Sequence, residues 1–550
     1  MTTRLLAAAS LLALATAPAT AHDPSFDPDR LSTHVRTLSS DAFGGRAPAT
    51  PGEHLSVGYI SGAFAAAGLE PGGDLDEHGL RSFTQDVVLA RSTMVDEPLV
   101  AATIGGERVG LAQGQDVAVR APINGEAHVQ LENVPMVFVG YGTTAPERDW
   151  NDFKDVDVAG KVILVLVNDP DFEGGEGDFG GKEMTYYGRW TYKYEEAARR
   201  GAAGVLVIHE TAPASYGWNV VANGNEQTFD IVREDPKAAH AGLEGWMHAD
   251  LADRLLKAAG TSLEKAKAAA RRRDFQPLEL GAALDATLLA ETDEVVTKNV
   301  VGILTGSEAP DETVIYTAHY DHLGTGDANA EGDTIYNGAL DNATGVAMLI
   351  EQARAFAQMG PQKRSVVFMA VGAEEKGLLG AKYYVANPIY SLAKTAGVLN
   401  TDSQGVFGRA RDFSISGTAR LELLDLLVGE AKAMGKGFTP DPRPEAGGFF
   451  RSDHFAFALA GVPAISFKAG QDLEDGGVER AEQMASNYVS RLYHQQDDEW
   501  SSDWNFEGIA QDALLLHRVG TRLANEPLWP NWAEGSEFRA VREESAADRR

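Results

Sequence analysis

The chain has 550 residues, with 48 Lys and Arg against 80 Asp and Glu, a formal charge of −32. A surface that acidic repels phosphate backbones and argues against nucleic-acid binding, while the length predicts two folded units rather than one. With no cysteine, neither disulfides nor thiolate ligands are open to it, so any metal site must use His, Asp and Glu.

In chain order, Arg4, the apolar run Leu5 to Ala17 and Ala19-Thr20-Ala21 read as a signal peptide over residues 1–21. No cysteine follows to carry a lipid, and no later run of ~20 apolar residues suits a membrane span. A periplasmic or secreted protein is the expectation. Asp29 to Glu70 reads as two helices around a Gly/Pro turn, with Tyr59, Ile60, Phe64 and Ala67 at helical spacing. Residues 83–119 read as strands. The stretch 134–285 holds the buried-strand runs 135–139, 161–167 and 204–208 and no ligand candidates. It is expected to be an insertion separating residues 22–133 from 286–550. Its loop 169–193 carries Tyr186, Tyr187, Trp190 and Tyr192, suited either to covering a site or to packing. The run Arg271-Arg272-Arg273 fits a solvated helix end. From Thr297 strands and helices alternate, which predicts an α/β fold with a mostly parallel, helix-flanked central sheet.

Five residues of metal-ligand type fall in that last part: His319, Asp341, Glu375, Asp402 and His494. His319 follows a strand in Thr317-Ala318-His319-Tyr320-Asp321-His322; Asp321 suits a role in fixing the imidazole, and His322 a structural one. Asp341 lies in the loop 338–345, where Asp341, Asn342 or Thr344 can cap the next helix. Glu374 and Glu375 follow an apolar strand, Asp402 another, and His494 comes ahead of Asp497-Asp498-Glu499. Each motif alone is weak. Together, two imidazoles and three carboxylates suit two zinc ions sharing one carboxylate, with Glu374 as general base and Tyr493 as a donor to an oxyanion.

The set TAHYDHLG, GALDNATGVA, AVGAEEKGLLG, NTDS and YH resembles the co-catalytic di-zinc aminopeptidases, whose relatives include glutamate carboxypeptidase II and transferrin receptor. Residues 134–285 look like the protease-associated (PA) domain of many members, and 44–53 and 451–467 fit as well. The resemblance implies one zinc on His319 and Asp402, a second on Glu375 and His494, and Asp341 between them. It implies Glu374 as the base, Asp321 as the acid behind the first histidine, Tyr493 beside the last, and a peptide substrate. An aminopeptidase is the expected activity. The alternatives are a carboxypeptidase with Arg443 or Arg451 receiving a free carboxylate, a glutaminyl-cyclase-like transferase, and a non-catalytic receptor on the same fold.

Overall fold

The computed structural model describes residues 23–154, 156–175 and 177–549. The expected signal segment, 1–21, lies outside them. Among the described residues no helix is long and apolar enough to cross a membrane.

Two sheets share one strand. Leu278–Leu304 runs 27 residues; its first half pairs with Leu99–Ile104 and His128–Phe138, its second with Thr84–Met94 and Arg364–Val371. The first sheet is mixed around a parallel centre: Arg364–Val371, Ala309–His319, Thr395–Thr401 and Ala464–Ala469 lie side by side in that order, all parallel. The antiparallel strand Asp412–Ile415 follows Ala464–Ala469, and the short strand Gly437–Phe438 pairs beyond it. The centre is buried because both faces are covered, which is why Arg364–Val371 is buried at all eight positions. Its side chains alternate. Val366, Phe368 and Ala370 face a core that includes Leu31, Val35, Ile60 and Phe64 from the N-terminal helices Pro28–Leu38 and Pro51–Ala67. Val367, Met369 and Val371 face the opposite core with Ala381, Tyr384 and Phe457. The N-terminal helices thus pack on the sheet as expected.

The second sheet has its own parallel centre, His128–Phe138, Val162–Leu166, Gly204–His209 and Leu243–His248. It separates two further cores, one with Phe138, Leu164 and Leu206 and the other with Val137, Ile163 and Val205. It reaches further toward the N-terminus than residues 134–285, because Leu99–Ile104 and Glu107–Leu111 extend it past the shared strand. The segment 251–273 is two helices, Ala249–Ala258 and Leu263–Ala270. Between them Gly260 takes a left-handed φ of 86°, which glycine adopts without a Cβ penalty.

Candidate metal centre

The strand order assembles the site. Ala309–His319 lies between Arg364–Val371 and Thr395–Thr401, so the residues after those two strands, Glu374-Glu375 and Asp402, flank His319. The helices that follow the first two strands, Thr344–Met359 and Leu379–Ala386, pack into opposite cores. His319 therefore sits where the strand order reverses, the crevice in which open α/β sheets gather their ligands. The acids Glu374 and Glu375 stand in the turn before Leu379–Ala386, not in a helical first turn, and Ala373 enters that turn at φ 56°.

Asp341 faces both histidines. Its Oδ1 lies 3.3 Å from His319 Nε2 and its Oδ2 3.4 Å from His494 Nε2. His319 Nε2 is also 3.5 Å from Asp402 Oδ1, and His494 Nε2 is 3.2 Å from Glu375 Oε2. A direct imidazolium–carboxylate bond closes to about 2.8 Å. These four distances match instead the edge of a tetrahedron of ligands about 2.0–2.1 Å from a central zinc, roughly 3.3 Å. The structure groups the expected residues as His319, Asp402 and Asp341 on one side and Glu375, His494 and Asp341 on the other. Glu374 comes within 4.8 Å of His319 and Asp402 through its donor atom.

The backbone behind these ligands is held by groups the sequence reading gave other roles or none. Asp321 accepts from the Glu374 and Glu375 amides at 3.0 and 3.3 Å. Its carboxylate stands 3.9 Å from His319 Nδ1, whereas its main-chain oxygen is 3.2 Å away. The carboxylate thus positions the two glutamates, and the carbonyl orients the imidazole. Asp498 does the same for the bridging loop, accepting from the Leu340 and Asp341 amides at 3.0 and 3.1 Å. His322 is 2.7 Å from Glu375 Oε1 through Nδ1, fixing that carboxylate. The helix cap falls to Asn342, whose Oδ1 accepts from Gly345 N–H at 3.0 Å. The Thr344 hydroxyl donates backward to Leu340 O instead. A Cβ at Gly345 would stand 2.5 Å from Thr401 O, so only glycine lets the helix approach the strand carrying Asp402. The Asp341–Asn342 peptide bond is cis.

Arg46 is the largest omission. It is 1% exposed and donates to Tyr320 O, Leu38 O, Asn337 O and Gly338 O. These bonds tie the loops after the first strand and before Asp341 to the N-terminal helices. An arginine in a Gly/Pro turn reads as surface; the flanking Gly44 and Gly45, both at positive φ, were the available signal that this turn folds inward.

Burial and charge act against each other throughout the site. Burial raises Glu374, and its neighbours Glu375, Asp453 and Asp402 add to that, holding its carboxyl well above the ordinary range. Burial also opposes ionisation of Asp341 and Glu375. The imidazoles win: His319 and His494 hold Asp341 well below its ordinary range, and His322 and His494 bring Glu375 to about 2. His494 rises to about 10, since Asp341 and Glu375 outweigh the burial that would lower it. So many acids converging on two imidazoles call for further positive charge, as a divalent metal provides. Tyr493 stacks on the His494 ring at 3.9 Å between centroids and is 44% exposed at the rim.

Fold and site together give a candidate metal centre on an open α/β sheet. Residues 299–516 match the model of peptidase family M28. A probable zinc metalloprotease of Pyricularia oryzae is 39% identical over 107 residues, 20% of this chain and 21% of its own length. Another, of Pyrenophora teres f. teres, is 35% identical over 130 residues, 23% and 26% of the two chains. The chain thus spans about a fifth to a quarter of these curated relatives. Among solved structures, an aminopeptidase from Aneurinibacillus sp. strain AM-1 aligns over 92% of this chain and 95% of its own at 19% identity, TM-score 0.48. A peptidase M28 precursor from Shewanella amazonensis SB2B aligns over 91% and 96% at 17% identity, TM-score 0.42.

Proposed function

We propose that the protein is an exported zinc exopeptidase, an aminopeptidase that removes N-terminal residues from peptides, and that the second sheet is a PA-type domain. The observation that carries this reading is Asp341, with one oxygen toward His319 and the other toward His494 and Glu374 alongside. The donor set fits two zinc ions: His319, Asp402 and Asp341 for one, Glu375, His494 and Asp341 for the other. When bound, such ions polarise a carbonyl and acidify a shared water. Glu374 takes a proton from the attacking water and returns it to the nitrogen of the leaving amine. Asp321 fixes the main chain at Glu374 by accepting from its backbone amide. Tyr493, at the rim, offers its phenol to the developing negative charge on the carbonyl oxygen.

The test is a panel of aminoacyl-nitroanilides, the same compounds with blocked amines, and carboxypeptidase substrates, each with and without chelator. Chelator-sensitive cleavage that requires the free amine is the expected result. Cleavage only of substrates with a free carboxylate assigns a carboxypeptidase; zinc binding without any cleavage overturns the enzymatic reading.

A further inference from the structure

The helix Pro51–Ala67 begins with Thr50-Pro51-Gly52-Glu53, a pattern that serves as a capping box. Thr50 Oγ1 accepts from Glu53 N–H at 3.3 Å, and Glu53 Oε2 accepts from Ala49 N–H at 2.7 Å. Capping therefore occupies one oxygen of the carboxyl. The other, Oε1, turns away from the helix and meets the Tyr320 phenol at 2.9 Å and the Thr297 hydroxyl. Glu53 is 1% exposed and forms no ion pair among the described residues. An acid buried without a cation is costly, and a helix start does not require its acid to be buried.

The two hydroxyls come from strands that do not pair with each other. Thr297 lies on Leu278–Leu304 and Tyr320 just past Ala309–His319, and these two strands flank Arg364–Val371 on either side. The Glu53 carboxyl thus straddles the end of the strand that leads to Glu374 and Glu375. Tyr320 is fully buried between His319 and Asp321. Its phenol is shared with Lys298 O at 2.6 Å, its amide donates to Val371 O at 3.0 Å, and its carbonyl accepts from Arg46 Nε at 2.7 Å. Gly372, which opens the turn of the two glutamates, rests on the same oxygens. A Cβ there would stand 2.9 Å from Tyr320 Oη, Thr297 Oγ1 and Lys298 O.

We propose that Glu53 is a positioning residue for the metal centre: through Tyr320 and Thr297 it sets the loop of His319 against the turn of Glu374 and Glu375. One carboxyl oxygen accepting from hydroxyls on either side of a strand end fixes both neighbours of that end at once. The N-terminal helix thereby contributes to the spacing of residues that lie more than 260 positions further on. The inference rests on the peptidase reading, and its test includes a readout apart from turnover.

The experiment compares three variants of the full chain. Tyr320→Phe removes the phenol hydroxyl and keeps the ring; Glu53→Leu removes the carboxyl and fills its place. Each is expected to lower kcat at least about fivefold with KM and zinc content unchanged, because misplaced groups lose rate rather than binding. Thr50→Ala removes the cap alone and is expected to lower Tm while kcat stays. In the cobalt-substituted chain, Tyr320→Phe and Glu53→Leu are expected to shift the visible absorption bands of the metal. Should Glu53→Leu fail to fold, Tyr320→Phe decides. A kcat within about fivefold of the parent, a loss traced to KM or to missing metal, or an equal loss in Thr50→Ala overturns the proposal. If the parent cleaves nothing in the nitroanilide panel, the peptidase reading fails by itself and the cobalt spectra decide. Shifted bands then uphold the proposal, and superimposable spectra overturn it.

Discussion

Both sheets have a parallel centre, and both place histidines and acids just beyond the ends of its strands, yet those residues meet opposite fates. In the second sheet Asp169 accepts from the Thr185 amide and hydroxyl, His209 pairs with Tyr216 O, and His248 accepts from Asp250 N–H at the start of a helix. Each is satisfied within its own loop, and burial lowers His209, which favours the neutral ring. In the first sheet His319, Asp341, Glu375, Asp402 and His494 converge on one another at 3.2–3.5 Å, while Asp321, Asp498 and Arg46 hold the main chain behind them. Ligand-type residues at strand ends are therefore insufficient. What separates the regions is whether other groups satisfy the loop backbone and leave the side chains free to face a common point.

The sharpest way to break this contrast is at the candidate ligands and the proposed base. Glu374→Gln is expected to cut kcat by about 10³-fold while metal analysis still finds two zinc ions per chain. His494→Gln is expected to lose one of those ions together with activity. His209→Gln, at the corresponding place in the second sheet, is expected to change neither zinc content nor turnover. A drop in zinc with His209→Gln would erase the distinction.

Arg46→Met probes the support rather than the ligands. It leaves four main-chain oxygens without their donor, and denaturant unfolding is expected to show a loss of about 3 kcal/mol. Zinc affinity falls with it, since Asn337 and Gly338 lead into Asp341. A variant as stable as the parent would show that the loop holds itself.

A smaller effect concerns Glu351, on the helix Thr344–Met359 behind the site. Burial opposes its ionisation, but His34, Arg30 and Arg354 bring it to about 2 from the ordinary 4.5. Its folded value is depressed, so its contribution is present above about pH 4.5 and lost as pH falls toward 2. Arg30 is 42% exposed, and solvent screening reduces the contribution to about 1–2 kcal/mol. Glu351→Gln is expected to lower stability by that amount at pH 6, with the difference vanishing near pH 2 in unfolding curves.

The candidate ligands His319, Glu375 and Asp402 were legible because each follows a buried strand, a pattern one stretch of sequence can show. So were the central strands with runs of Val, Ile and Leu, which reflect burial on two faces, whereas Leu243–His248 and Asp412–Ile415 carry no such run and were not read. The supports were not. Asp321 and Asp498 serve amides 53 and 157 residues away, and Arg46 reaches carbonyls nearly 300 residues on. His322 seemed spare because nothing near it in sequence reveals Glu375 as its partner. The reach of the second sheet to Leu99 was hidden for the same reason: one strand, Leu278–Leu304, serves both sheets, and no turn marks where it passes from one to the other.

That shared strand also sets a timetable. Thr84–Met94 pairs with residues roughly 200 positions further on, a separation that slows folding through loop closure. At about 5–20 residues per second, the ribosome delivers the partner some 10–40 s later. Until then one edge of each future sheet is bare. The last histidine of the site arrives later still, so the whole molecule ripens late in synthesis, and its early strands need a guardian through the interval.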